Sequence, residues 1–303
     1  MSFPMHSGSG VSRESAARTA VMAGLIDTFI TLAALIAARS SVILADFFKT
    51  GLEFVAVLLA WLAIRRIQRG ADSRFQYGVG KLENLSSLFV GVIMIASILI
   101  IMINAIRNIR DPHAVSGLGV WISAISQIVY MLINGFLCWR ARRSAAAEPS
   151  PIMSSQIRLF MSKAFANLFI LLSLALSLAL QDHFTWAHYI DSISSMIIAL
   201  FILLAATGIF SSSFYDLLDR TLDEELQIVI LRELARHFES YDALHGVRSR
   251  RSGSHVFIEI YLEFDMEKKM SEVQPVVDEL RQSIERQIQG SRVTVGLTTE
   301  SIA

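Results

Sequence analysis

Six stretches of this chain are apolar for long enough to cross a bilayer core of about 30 Å, which takes about 20 helical residues each. They fall near residues 16–38, 41–64, 84–106, 118–139, 156–180 and 188–211. Past Asp219 the pattern changes. LDEELQIVILRELARHF sets its apolar residues at the spacing of one helix face, and VFIEIYLEF alternates apolar with polar residues as a half-buried strand does. SEVQPVVDELRQSIERQI reads as a second amphipathic helix and SRVTVGL as a last strand, with GSH as the turn between the first two strands. Helix, strand, strand, helix, strand predicts a small α+β sandwich, αββαβ and ferredoxin-like. The expected architecture is an α-helical membrane protein. A disordered N-terminus (1–12) leads into six transmembrane helices (13–215), and a cytosolic C-terminal αββαβ domain (220–303) follows.

Composition agrees. With 53% hydrophobic and 18% charged residues and a mean hydropathy of +0.50, the chain is too apolar for an ordinary soluble domain. Its 27 Lys+Arg balance its 27 Asp+Glu, but basic residues are in excess before residue 222 and acidic ones after it. The loops at one end hold Arg65, Arg66, Arg69, Arg74 and Lys81, then Arg140, Arg142, Arg143 and Arg158, with Arg13 and Arg18 ahead of the first helix; the other end holds Arg39, Arg107 and Arg110. Cytoplasmic loops are the ones rich in Lys and Arg, so both termini are expected in the cytosol, with the helices in the cytoplasmic (inner) membrane. The first apolar stretch has no small-residue cleavage site and reads as a retained helix rather than a signal peptide. A single cysteine, Cys138, allows no intramolecular disulfide and no CxxC motif. HExxH, GxSxG and P-loop patterns are missing, so no enzyme is expected. The lipid bilayer is the expected partner, and no nucleic acid.

Four ionisable residues lie where the membrane should be apolar. Each costs about 2.5–3.5 kcal/mol on insertion scales unless it finds a partner, a water-filled cavity or the interface. Glu53 and Lys49 sit about 18 and 12 Å into helix 2 and share one face. Lys before Glu is the less favourable order for an i, i+4 pair, so helix stability alone is a poor reason for them. A packing ion pair and a transport site are both open. Asp27 lies mid-way along helix 1. Lys163 enters helix 5 just past Arg158, where its stem can carry the ammonium to the interface or turn it inward.

The run SSVILADFFKTGLEFVAVLLAW, then YGVGKLENLSSLFVGVIMI, then LLDR before the tail resembles the cation diffusion facilitator (cation efflux) family over nearly the whole chain. The resemblance implies a homodimer that exchanges a divalent metal such as zinc or manganese for protons. It places two metal-ligand positions at Lys49 and Glu53 and, aligning on Asn167, two more at Leu159 and Lys163. An ammonium cannot coordinate while protonated and leucine has no donor, so only Glu53 remains as a ligand, which makes no tetrahedral zinc site. The loop His of the family pattern is Val79, leaving Asp72 as a weak metal candidate. His245 is another, matching a ligand position before the SRRSG turn, while Tyr261, Gln274, Gly296 and Thr298 stand where metal-binding relatives can have His or Asp. Lys81 and Asp219 match a family salt bridge. No cofactor is expected.

These residues carry two readings. In one, the chain is a proton-coupled secondary transporter in which Glu53, with Asp27, handles protons and the load is an unidentified ion other than a conventionally coordinated Zn²⁺ or Mn²⁺. In the other it carries nothing and serves as a regulatory or structural partner in a heterodimer with a family paralogue.

Overall fold

The computed structural model describes residues 7–38, 41–69, 75, 77–110, 118–147, 150–180, 183–184, 186 and 189–300. Six long helices come first: α1 (Ser7–Ala38), α2 (Ser41–Gln68), α3 (Lys81–Arg110), α4 (Leu118–Ala147), α5 (Pro151–Leu180) and α6 (Ile190–Leu217). A helix is the form such segments must take, because lipid offers no partner for a free N–H or C=O. Among the described residues five of them, α1, α2, α3, α5 and α6, contain spans long and apolar enough to cross a membrane. The sixth, α4, packs against α5 and α1.

α1 begins at Ser7, so residues 7–12, expected to be disordered, are helical. Residues 1–6 lie outside the described residues. Several helices also run past the apolar stretches that marked them, α2 to Gln68 and α4 to Ala147. Hydropathy ends at the interface, while backbone hydrogen bonding carries on into water.

Starts are set locally. Ser150 precedes Pro151, whose fixed φ suits the first helical position and whose missing N–H would have been unpaired there; the Ser154 N–H donates to the Ser150 carbonyl at 3.0 Å. Before α3 the chain turns through Gly78 at φ 78°. Two glycines let helices approach closely. A Cβ on Gly24 would lie 3.2 Å from the Phe54 ring, and one on Gly91 would lie 3.3 Å from the Phe210 backbone nitrogen. The core between helices includes Ala56, Val90 and Ala206, all fully buried.

The chain divides into two units, residues 1–213 and 214–303. The second holds α7 (Glu224–Arg236), β1 (Ala243–Ser252), β2 (His255–Glu263), α8 (Met270–Gln287) and β3 (Ser291–Leu297), in the αββαβ order the sequence predicts. The sheet order is β1-β2-β3, with β1 and β2 antiparallel and β2 and β3 parallel across the α8 crossover. Alternation fixes the register: Val256, Ile258, Ile260 and Leu262 of β2 are buried, and Ile230, Leu234, Leu280 and Ile284 of the helices pack with them. Gly253, at φ 63°, makes the tight turn between β1 and β2.

Candidate transport site

Three of the charged residues meet. The Lys163 Nζ on α5 lies 2.7 Å from Glu53 Oε2 on α2, and Lys49 Nζ, one turn before Glu53, lies 3.7 Å from Oε1. The two possible orientations of Lys163 are resolved in favour of the inward one. Glu53 keeps only 9% of its side chain exposed, against 29% for Lys49 and 23% for Lys163. Both lysine side chains are therefore part-exposed, while Glu53 between them is buried.

All three line a cavity of about 360 Å³. Its wall is polar at Ser97, Asn104, Gln127 and Asn167, and apolar at Ile101 and Ile198. Leu159, buried at 2% exposure, stands in the same wall one turn before Lys163. The Gln127 side-chain amide oxygen is buried and accepts no hydrogen bond among the described residues.

Asp27 is not part of this wall. It lies half-buried on α1, and α1 meets α2 beside Phe54, about a quarter of a turn around the helix from Glu53. The Thr31 hydroxyl donates to the Asp27 carbonyl at 3.1 Å. Asp72 lies outside the described residues. Lys81 opens α3 and is half-buried. Asp219, in the second unit, takes a left-handed φ of 57° and accepts from Arg250 Nη1 at 3.5 Å.

In the tail, His245 Nε2 is 2.6 Å from Glu263 Oε2, at the bulge between Leu244 and Gly246. Among the described residues no group of three or more His, Cys, Asp or Glu side chains is gathered as a metal ion would need. The strongest electrostatic feature of the tail is structural. Glu233 of α7 is 1% exposed; burial pushes its carboxyl up, and the Ser283 hydroxyl, Gln287 and the Arg236 guanidinium at 2.6 Å outweigh that and hold it below the usual carboxylate range. Burial raises Tyr241, whose hydroxyl donates to the Leu234 carbonyl at 3.1 Å.

One buried cluster escaped the sequence reading. Arg13 Nη2 is 2.5 Å from Glu83 Oε1 and 2.8 Å from the Ser150 hydroxyl, which itself donates to Glu83 Oε2 at 2.5 Å. Its one signal in the sequence was Glu83, an acidic residue in the KLEN start of α3 amid basic loops.

Residues 17–218 match the cation efflux transmembrane domain. The chain belongs to the cation efflux family. Residues 222–297 match the cation efflux protein cytoplasmic domain. Over 288 residues the chain is 28% identical to the cation-efflux pump FieF of Escherichia fergusonii, with 94% of this chain and 91% of that pump covered, and the same figures hold for FieF of Escherichia coli K12. A solved structure of CzrB in its zinc form aligns with 28% of this chain and 97% of its own at 22% identity, with a TM-score of 0.26. The protein is thus an integral membrane protein of a transporter family, and its Glu53 cavity carries two ammonium groups and a leucine beside a single carboxylate.

Proposed function

We propose that this cation efflux family member is a secondary transporter whose load is an ion other than a four-coordinate Zn²⁺ or Mn²⁺, moved in exchange for protons that Glu53 takes up and releases. The observation that carries this reading is the 2.7 Å contact between Lys163 and Glu53. A tethered ammonium stands beside the one carboxylate a metal would use, and Lys49 stands on its other oxygen. A divalent cation entering this site meets two positive charges and finds one anionic ligand. Protonation of Glu53 breaks the attraction that holds Lys163, so proton uptake and rearrangement of the cavity are coupled by Coulomb's law.

The rest of the assignment follows the same frame. Both termini face the cytosol, the bundle lies in the cytoplasmic membrane, and two copies associate through the tail. Asp27 adds a second proton-handling carboxylate outside the cavity wall.

The test is flux. Protein in liposomes under a proton gradient is expected to show no saturable Zn²⁺ uptake, and robust metal–proton exchange abolished by Glu53→Gln would refute the proposal. The full engagement of Glu53 by two lysines also suits a silent dimer partner. Proton release measured across monovalent, divalent and organic ions separates the two readings, since a silent partner releases none.

A further inference from the structure

The cavity is displaced from the buried Arg13 cluster toward the other end of the bundle. Contacts among Arg13, Glu83 and Ser150 put the starts of α1, α3 and α5 at one end. The cavity takes its α3 wall from Met94 to Asn104, from the middle of that helix onward, its α5 wall from Leu159 to Ile170, across the middle of that helix, and its α4 and α6 walls from Gln127 and from Ser195 to Ile202, near the starts of helices that begin at the other end. The cavity therefore lies nearer the end of the bundle away from the Arg13 cluster.

The Arg13 end is shut in three layers. Outermost is the ion pair: Arg13, Glu83 and Ser150 are 6%, 1% and 3% exposed, and the two carboxylate oxygens of Glu83 accept hydrogen bonds from Arg13 of α1 and from Ser150, just ahead of α5. Arg140 of α4 donates to the Ser15 hydroxyl at 2.7 Å and fastens a fourth helix to α1. Next to it is an apolar plug of Ala17, Ala60, Ile64, Ile152 and Met153, contributed by α1, α2 and α5. Beyond these, toward the middle of the bundle, come polar groups with nothing to bond. Among the described residues, both amide atoms of Gln156 are buried without a partner, as are the hydroxyls of Ser86 and Ser87. Gln156 lies on α5 two turns before Lys163 and on the same side of the helix. A side-chain amide buried with neither donor nor acceptor satisfied is rare in a folded core and calls for a reason. Water reaching it in a second conformation is such a reason.

We propose that Arg13, Glu83 and Ser150 are the latch that holds this end closed, and that its release opens a second water-filled path to Glu53 past Gln156. An ion pair suits a latch better than more leucine does. It holds while desolvated and, once water reaches it, each charge is well solvated apart, so the open form is not left with exposed apolar surface. The purpose of the latch rests on the transport reading of Glu53, but its opening can be measured without any transport.

The experiment uses the full chain carrying Cys138→Ser, which removes its single cysteine, and follows modification by a small hydrophilic thiol reagent. Ser87→Cys, one turn past Glu83, reports on the latched end, and Asn104→Cys reports on the cavity. With the latch intact the cavity reporter is expected to react at least tenfold faster. Adding Glu83→Gln should raise the Ser87→Cys rate at least tenfold and lower the Asn104→Cys rate. The exchanged pair Arg13→Glu with Glu83→Arg should restore the original order. Ser150→Ala, which spares the ion pair and is the milder change, should raise the Ser87→Cys rate by a smaller factor. The proposal is overturned if Ser87→Cys reacts equally slowly in Glu83→Gln and Ser150→Ala. It is also overturned if both reporters speed up together, which marks a loosened fold rather than an opened end. A bundle that carries nothing can still show the reciprocal shift, so failure of the flux assay and failure of the latch are read separately.

Discussion

The two lysines around Glu53 should be unequal partners, and a double-mutant cycle in the folded bundle measures by how much. The perturbations are Glu53→Gln, Lys163→Met, Lys49→Met and the two doubles that include Glu53→Gln. Lys163 reaches across from another helix and sits at 2.7 Å, hydrogen-bond distance, on an oxygen almost fully withdrawn from water. Neutral hydrogen bonds between membrane helices average about 0.6 kcal/mol, a charge-assisted bond is about twice as strong, and bonds to charged groups reach about 1.5–3 kcal/mol. The Glu53–Lys163 coupling is therefore expected between about 1.2 and 3 kcal/mol. Lys49 is at 3.7 Å, 29% exposed, and in the unfavourable order on one helix. Exposed i, i+4 pairs give about 0.3–0.5 kcal/mol, and this one should fall at or below that. Reversible unfolding of the purified chain in mixed micelles, followed through the bundle's helicity, supplies the stabilities. In Lys163→Met the nearby Lys49 can swing onto the freed oxygen, so the measured Lys163 coupling is a lower bound. Equal couplings, or a larger one for Lys49, would refute the claim that the inter-helix contact organises the site.

Other expectations are independent of the site. Because the folded carboxyl of Glu233 is held below its ordinary value, near 4.3, its stabilisation is fully present above that value and is lost as pH falls through the folded one. Amide exchange in α7 and α8 should accelerate on acidification below about pH 4.3, and Glu233→Gln should weaken protection above that pH and flatten the dependence. At the helix contacts, Gly91→Ala should lower bundle stability, since the new methyl meets the Phe210 backbone at 3.3 Å. By contrast Gly208→Ala should be neutral or stabilising by up to about 1 kcal/mol from helix propensity. Its methyl meets only the Arg158 Nη1 tip, which can swing away. Thermal unfolding of the two variants side by side checks the contrast.

Most of the fold was legible because its signals are local. A long apolar run needs no partner to declare itself a membrane helix, and the strict alternation of VFIEIYLEF fixes which face of β2 is buried. The meeting of Lys49 and Glu53 was equally local, four residues apart on one helix. Lys163 was different: its depth was uncertain by about a turn, enough to move an ammonium from the interface to Glu53, and only the packing of α5 against the other helices decides it. Asp27 showed the limit of reading depth without rotation, since it lies at a suitable height but on a helix that meets α2 beside Phe54. The Arg13 cluster was out of reach for a further reason. Its members are 70 and 137 residues apart in sequence, and a basic residue at a helix start is what a positive-inside end supplies anyway. The helical 7–12 segment follows from the same blind spot: hydropathy ends at the interface, whereas α1 continues beyond it from a point anchored at Arg13.

The composition of the Glu53 wall also bears on how such a site can change over generations. Three side chains, Lys49, Leu159 and Lys163, separate it from a four-donor pocket, and no single replacement is harmless. Converting Lys163 alone to a carboxylate sets two acids at one position with only Lys49 to neutralise them; converting Leu159 alone adds an acid where an aliphatic side chain now packs in the core. Each of these two single changes places a misfit inside the bundle, so metal chemistry at this wall would need several coordinated replacements.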